Sequence, residues 1–97
     1  MNLEWSGFSI KDREEIFDYI EADNPQAAIE VDNSIEEQVQ RLIQFPLSGR
    51  IGRIRATREL VITGTAYVVA YSAVGETIRI LRALHGARIW PEELSNR

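Results

Sequence analysis

The spacing of the apolar residues changes near the middle of this 97-residue chain, and no other feature constrains the fold as strongly. In the first half they recur every three or four positions, which is the period of an amphipathic helix. In the second half they form short runs rich in valine, isoleucine, threonine and tyrosine, and such runs are typical of strands. Helices followed by strands predict an α+β fold, because a parallel α/β sheet needs the two to alternate.

Two helices are predicted in the first half. The first helix has one apolar face, formed by Ile10, Ile16, Phe17 and Ile20. Charged residues, among them Asp12, cover the opposite side, and Ser9 is placed to cap the first turn.

The second helix is predicted to begin at Asn24-Pro25. Asparagine accepts hydrogen bonds from the free N–H groups of a first turn, and proline at the first helical position has no N–H that needs a partner. Apolar residues follow at helical intervals: Ala28, Val31, Ile35, Val39 and Leu42. Phe45-Pro46 stops the helix after about five turns, since proline disrupts the turn before it. Two such helices in succession predict an antiparallel hairpin whose apolar side needs a sheet to cover it.

One short strand is predicted before the helices and three after them. Leu3 and Trp5 alternate with polar residues, as in a strand with one buried face. The later strands are predicted at residues 58–62, 67–72 and 77–84, as a three-stranded antiparallel meander. The last two are apolar along most of their length, so we expect them at the centre of the sheet. The order β-α-α-β-β-β predicts an α+β fold with both helices on one face of a small sheet.

The composition excludes several classes of site. The chain has no cysteine and one histidine, which excludes disulfides, thiolate metal sites and multi-histidine metal sites. A run of about 18 apolar residues is absent, and the first residues lack the basic and apolar regions of a signal peptide. We therefore expect a single domain over residues 1–97, located in the cytoplasm, with no metal, no cofactor and no membrane insertion.

The charges are divided unevenly along the chain. Residues 1–49 carry three basic and eleven acidic residues, a net charge of −8, whereas residues 50–97 carry eight arginines and four acidic residues, a net charge of +4. Within nine positions lie Arg50, Arg53, Arg55 and Arg58. Guanidinium groups bind phosphate and carboxylate through a planar set of donors, so this cluster indicates a nucleic acid or an acidic peptide as ligand. A solvated loop that pairs with the acidic helices is the alternative.

Several short motifs occur together in this chain. They are Asp23-Asn24-Pro25 between the helices, Phe45-Pro46 at the helix end, Thr57-Arg58-Glu59-Leu60-Val61, Leu84-His85-Gly86-Ala87-Arg88 and Trp90-Pro91. In this combination, from Glu4 to Pro91, the chain resembles the RelE/ParE family of bacterial type II toxins. The resemblance implies the same order of elements, and a toxin that a cognate antitoxin protein binds and neutralises in a hetero-oligomer.

The resemblance leaves two modes of action open. RelE-like members cleave messenger RNA on the ribosome, whereas ParE-like members trap DNA gyrase without a hydrolytic site of their own. RelE-like nucleases usually place lysines beside the arginines and a tyrosine in the C-terminal segment. Here the only lysine is Lys11, and Arg88 stands near the tyrosine's place, so the chain is closer to the ParE branch. A non-toxic relative that only binds its antitoxin is a third possibility.

The nuclease hypothesis requires Arg58, Arg82, His85 and Arg88 around the scissile phosphate. Metal-free RNA cleavage needs an acid, a base and cations, and histidine alone titrates near neutral pH without perturbation. The strand period places Arg82 on the same face as Ile80 and His85 on the other, so the two converge only if the strand bends. The alternative is a strand-end histidine whose ring hydrogen-bonds a backbone carbonyl.

The gyrase and antitoxin hypotheses assign binding residues instead: Arg50, Arg53, Arg55, Arg58 and Glu59. Glu59 is the candidate base of a nuclease, or simply pairs with a neighbouring arginine. We expect the guanidinium groups of the second half to converge on a pocket backed by the sheet. A disordered antitoxin segment would fold there and place carboxylates on residues 50–58. For Trp5, Trp90, Tyr67 and Tyr71, core packing and base stacking both stay open.

Overall fold

The computed structural model describes residues 1–88 and 90–91. Its elements in chain order are β1 (Asn2–Trp5), α1 (Gly7–Glu21), α2 (Pro25–Gln40), a 3-10 turn (Arg41–Ile43), β2 (Arg50–Ile51), β3 (Arg58–Val61), β4 (Tyr67–Val74) and β5 (Thr77–His85). The predicted α+β order is confirmed, with one addition. Strand β2, two residues long and paired to β3, is too short to leave a periodic signal in the sequence.

The strands form one sheet in the order β1-β5-β4-β3-β2. Strand β1 pairs with β5 in parallel, and the other neighbours are antiparallel. The prediction that the last two strands are central is confirmed. Both helices cover one face of the sheet, and the core between them contains Ile16, Ile35, Val39, Leu42, Ile62, Val69, Tyr71, Ile78, Ile80 and Ala83. The other face is called the open face below.

The capping residue of α1 is Ser6, and the prediction of Ser9 was wrong. Ser6 has an extended backbone, and its Oγ accepts from the N–H of Ser9 at 3.1 Å. Ser9 already lies in the first helical turn, where it donates its hydroxyl back to the Ser6 carbonyl. Ile10 was also misassigned, because 48% of its surface is exposed rather than packed on the sheet. For α2 the predicted cap is confirmed: Asn24 Oδ1 accepts from the Ala27 N–H at 3.1 Å.

A β-bulge changes which side chains of β5 face the helices. Tyr71 of β4 pairs with Ile80, but its neighbour Ala70 pairs with Arg82, so Leu81 is an extra residue. The alternation of faces is therefore reversed beyond Leu81, and Ile80 and Ala83 both lie in the core beneath the helices. The period-two prediction that grouped Arg82 with Ile80 was wrong for this reason.

Helix α1 continues the pairing of β5 where β1 stops. The last pair between β1 and β5 is Trp5 with Ile80. Beyond it, the Ser6 hydroxyl donates to the Leu81 carbonyl at 2.9 Å, and the Asp12 carboxylate accepts from the Ala83 N–H at 3.0 Å. These two side chains provide hydrogen-bond partners for backbone groups of β5 that have no neighbouring strand on that side. Among the described residues, neither helix is both long and apolar enough to cross a bilayer.

Candidate functional site

The cationic cluster lies on the hairpin formed by β2, β3 and the segment between them; residues 50–58 are called the arginine loop. Two strand pairs, Arg50 with Glu59 and Ile51 with Arg58, define its base. Above them the Gly52 N–H donates to the Thr57 carbonyl at 2.9 Å. A Cβ on Gly52 would collide with Thr57 Oγ1 and lie 2.9 Å from the Thr57 carbonyl oxygen, so this close crossing of the chain requires glycine.

Glu59, the β3 residue that follows the loop, holds it in place, and only 2% of the Glu59 surface is exposed. Its Oε1 accepts from Arg50 Nη2 at 2.9 Å and from Arg53 Nη2 at 3.2 Å. Its Oε2 accepts from Arg53 Nε at 3.0 Å and from the Arg53 backbone N–H at 2.8 Å. Both oxygens are thus occupied by donors, and a single carboxylate fixes two guanidinium groups.

These contacts change the pKa of Glu59. Burial by itself raises the pKa of a carboxyl group, because it penalises the charged form. Hydrogen bonds from the Arg53 side chain, the Arg53 backbone N–H and Arg50 together outweigh burial and lower the pKa of Glu59 from 4.5 to about 2. At neutral pH the carboxylate is therefore ionised and holds protons only weakly.

Trp90 packs on the open face beside this cluster. It lies against Val68, Ala70 and Leu84, and the Arg53 guanidinium stands 4.1 Å from its ring centroid. Arg53 therefore binds a carboxylate on one side and an aromatic ring on the other. The sequence left core packing and base stacking open for Trp90, and the structure shows packing. The Trp90 Nε1 is buried and has no hydrogen-bond partner among the described residues.

Arg58 points to the opposite face from Glu59, as expected for successive strand residues. Its Nη1 donates to the Gly49 carbonyl at 2.8 Å. The buried Tyr71 hydroxyl holds the same segment. It donates to the Pro46 carbonyl at 2.8 Å and accepts from the Gly49 N–H at 3.0 Å. Arg58 thus anchors the segment that leads into the loop. Arg55 is exposed and forms no ion pair with any residue that the structure describes.

His85 lies elsewhere, in a cleft of about 270 Å³ at the end of β5. Asp12 and Arg88 line the same cleft, and the Tyr67 ring meets the imidazole edge-on at 5.7 Å. The Nδ1 atom of His85 accepts from the Ala87 N–H at 3.1 Å. This contact fixes the turn after the strand. The predicted alternative had the ring bind a backbone carbonyl, but among the described residues the ring accepts from a backbone N–H instead.

Arg82 is held by Asp12 in a bidentate ion pair. Arg82 Nε and Nη2 donate to the two carboxylate oxygens at 2.7 and 3.0 Å. Hydrogen bonding to Asp12 raises the pKa of Arg82 further, and burial does not reverse this. Asp12 was assigned to the solvated side of its helix, yet it is 5% exposed. Its role was missed because the partner lies 70 positions away in the sequence.

The four residues of the nuclease hypothesis are not assembled around one point. His85 and Arg88 share a cleft with the Asp12 partner of Arg82. Arg58 pairs across the sheet with Tyr71, whereas His85 pairs with Tyr67. Four residues along a strand separate those positions by about 13 Å, and the two strand spacings from β3 to β5 add to this. The expectation that the arginines of the second half converge on one pocket was wrong. Arg50 and Arg53 meet at the buried Glu59 carboxylate, whereas Arg58 binds the Gly49 carbonyl and Arg82 binds Asp12.

Comparison with known proteins gives the family. Residues 3–90 match the family model described as the ParE toxin of the type II toxin-antitoxin system, parDE. The chain belongs to the ParE toxin family. It is therefore a toxin of a type II toxin-antitoxin system, as the sequence motifs predicted.

Two relatives agree with the ParE assignment. The chain is 37% identical to Y4kP of Sinorhizobium fredii, a protein named as a toxin candidate, over 92 residues and 95% of each chain. It also superposes on a chain of the chromosomal ParDE toxin-antitoxin system from P. aeruginosa with a TM-score of 0.80 and 25% identity. That match covers 88% of this chain and 95% of the other. The ParE fold thus extends over nearly all the described residues.

Proposed function

We propose that this ParE toxin arrests growth by binding DNA gyrase and that a cognate antitoxin neutralises it by binding the arginine loop. The observation that supports this most is the geometry around Glu59. Arg50 and Arg53 are held in fixed positions beside the open face by one carboxylate, and Arg55 projects without an ion pair to any described residue. Such a surface binds anionic groups without being built to transfer protons.

Exposed apolar side chains around the loop favour a protein ligand over a bare phosphate. Phe45, Leu47 and Ile51 are 62%, 64% and 82% exposed. Large apolar side chains beside arginines favour an amphipathic segment with acidic residues, since it buries one part and pairs with the other. A disordered antitoxin segment that folds on this surface gains both kinds of contact.

The nuclease alternative has weaker support. A general base works best when its pKa lies near the working pH, and the pKa of Glu59 is about 2. Arg82 is committed to Asp12, and an arginine does not release its proton at neutral pH. His85 is the one remaining acid-base group of the hypothesis, and Arg58 lies far from it along the sheet.

The decisive experiment expresses the toxin with and without the protein encoded beside it. We expect growth arrest by the toxin alone, rescue by the partner, and stabilised gyrase-DNA cleavage complexes with purified gyrase. Primer extension on cellular transcripts is the counter-test, because codon-periodic cleavage would overturn the gyrase proposal and favour the mRNA interferase. Absence of growth arrest would overturn the proposed toxicity and leave only antitoxin binding.

A further inference from the structure

Trp90 lies on the open face of the sheet, beyond the end of β5, and contacts the arginine loop from there. Only 9% of its surface is exposed, and it packs with Val68, Ala70 and Leu84. The Arg53 guanidinium lies 4.1 Å from the centroid of its ring. One side chain that follows the last strand therefore contacts both the sheet and the loop.

A tight turn after β5 leads the chain to this position. The Gly86 N–H donates to the Ala66 carbonyl at 2.8 Å, and the Arg88 N–H donates to the His85 carbonyl at 3.0 Å. These two hydrogen bonds fix the turn at the end of the strand. Beyond the turn, Trp90 packs on side chains of the neighbouring strand β4.

Arg53 binds a carboxylate and an aromatic ring at once because the two contacts use different parts of the guanidinium group. Hydrogen bonds form in the plane of the group, whereas aromatic rings stack on its faces. Arg53 donates to Glu59 from Nε and Nη2, and the Trp90 ring lies over Arg53 Cζ. Arg53 Nη1 has no hydrogen-bond partner among the described residues, so it is the donor that is left for an external anion.

The indole N–H of Trp90 is evidence for a role beyond packing. Within the described part of the chain Nε1 is buried and unpaired, and burial of an unpaired donor lowers stability. Phenylalanine or leucine would fill apolar space without that cost. An indole ring offers instead the strongest attraction to a cation among the aromatic side chains. The contact with Arg53 is therefore what tryptophan provides at this position.

We propose that Trp90 is a positioning residue of the arginine loop, which holds the Arg53 guanidinium against Glu59 and so fixes the direction of its free Nη1 donors. Glu59 holds one edge of the guanidinium, and a planar group held by one edge is free to tilt about that edge. The Trp90 ring removes this freedom by contacting the face of the group. The segment after β5 is thereby coupled to a loop on the other side of β4.

The consequence for ligand binding rests on the proposed function, because it takes the arginine loop as the antitoxin site. The positioning itself is a property of the free chain. It is therefore tested first, without any partner.

The first test follows hydrogen exchange of the Arg53 Nε–H by NMR at neutral pH, because exchange requires this donor to leave Glu59. We expect exchange to be about fivefold faster or more in Trp90→Leu, which keeps apolar volume but has no ring. Trp90→Phe restores an aromatic face, so its rate should lie close to that of the unaltered chain. The control is Ile35→Val, which removes one methylene from the core on the opposite face of the sheet.

Two results of this test would overturn the proposal. Unchanged exchange in Trp90→Leu would show that the ring only packs on the sheet. Equal acceleration in Ile35→Val would show that exchange follows global stability and not the contact with Trp90. Unfolding curves check that each variant folds, and Trp90→Met, which also lacks a ring, replaces Trp90→Leu if the latter does not fold.

The second test asks whether Trp90 acts on ligand binding through Arg53. The probe is the protein encoded beside the toxin, and calorimetry measures its affinity for Trp90→Leu, Arg53→Leu and the double variant. We expect each single substitution to weaken binding about threefold or more, and the double variant to bind no more weakly than Arg53→Leu. Additive losses would overturn the proposal, because Trp90 would then act independently of Arg53.

The two tests together separate this inference from the proposed function. Faster exchange in Trp90→Leu with unchanged binding of all three variants would overturn the arginine loop as the antitoxin site. Unchanged exchange with weaker binding would overturn the positioning role of Trp90 and leave the loop as the binding site.

Discussion

Among single residues, Glu59 does most to position the arginine loop, because its carboxylate joins Arg50, Arg53 and the backbone of the loop. The pKa of Glu59 is lowered on folding, so its ionised form contributes stability above the unfolded pKa of 4.5. That contribution is lost as the pH falls from about 4.5 towards about 2. The lost part is roughly 3 kcal/mol at most, at 1.36 kcal/mol for each pKa unit.

Glu59→Gln tests this linkage. The amide keeps the shape but cannot neutralise two guanidinium groups, so we expect a lower free energy of unfolding at neutral pH and a smaller decrease below pH 4.5 than in the unaltered chain. Denaturant unfolding at several pH values measures both quantities. Parallel pH profiles for the two proteins would show that Glu59 is not the linked group.

Arg53 and Arg55 form a matched pair for separating stability from binding. Arg53→Ala removes the contacts with Glu59 and Trp90, so we expect a loss of about 1 to 3 kcal/mol of unfolding free energy. Arg55→Ala removes an exposed side chain and should change stability by less than about 0.5 kcal/mol. If the proposed function holds, Arg55→Ala still weakens antitoxin binding. Unfolding curves and titration calorimetry measure the two effects, and equal destabilisation by both substitutions would contradict the structural assignment.

At the scale of elements, the ion pair between Asp12 and Arg82 joins α1 to the edge of β5. Asp12→Ala leaves a partly buried guanidinium and the Ala83 N–H without their acceptor, so we expect it to cost about 3 kcal/mol or more. Arg82→Ala keeps the contact from Asp12 to Ala83 and should cost less. A double-mutant cycle on unfolding free energy measures the coupling. Additive losses would show that the pair contributes no coupling energy.

At the scale of the whole molecule, the core between the helices and the sheet supports the strands that carry the arginine loop. Ile35 of α2 is fully buried in that core, whereas Ile29 of the same helix is 46% exposed. Ile35→Ala should cost about 2 to 5 kcal/mol through a cavity and reduce growth arrest by unfolding the toxin. Ile29→Ala should cost less than about 1 kcal/mol. Thermal unfolding and growth assays check the pair, and full toxicity of a destabilised Ile35→Ala would contradict this dependence.

The sequence by itself determined the order of the elements apart from β2, the start of α2 at Asn24-Pro25, the central position of the last two strands and the family. These features depend on local spacing, capping and short motifs, which neighbouring residues encode. It also located the arginine loop along the chain, because four arginines lie within nine positions.

Only the tertiary structure decided which of those arginines pair with a carboxylate of the chain itself. The Asp12 pair with Arg82 and the parallel pairing of β1 with β5 join residues about 70 positions apart, a distance over which no local pattern operates. The extra residue at Leu81 reverses the strand faces without any mark in the apolar pattern. Arg50 and Arg53 differ from Arg55 because a buried carboxylate lies within their reach, and that proximity exists only after the hairpin has formed.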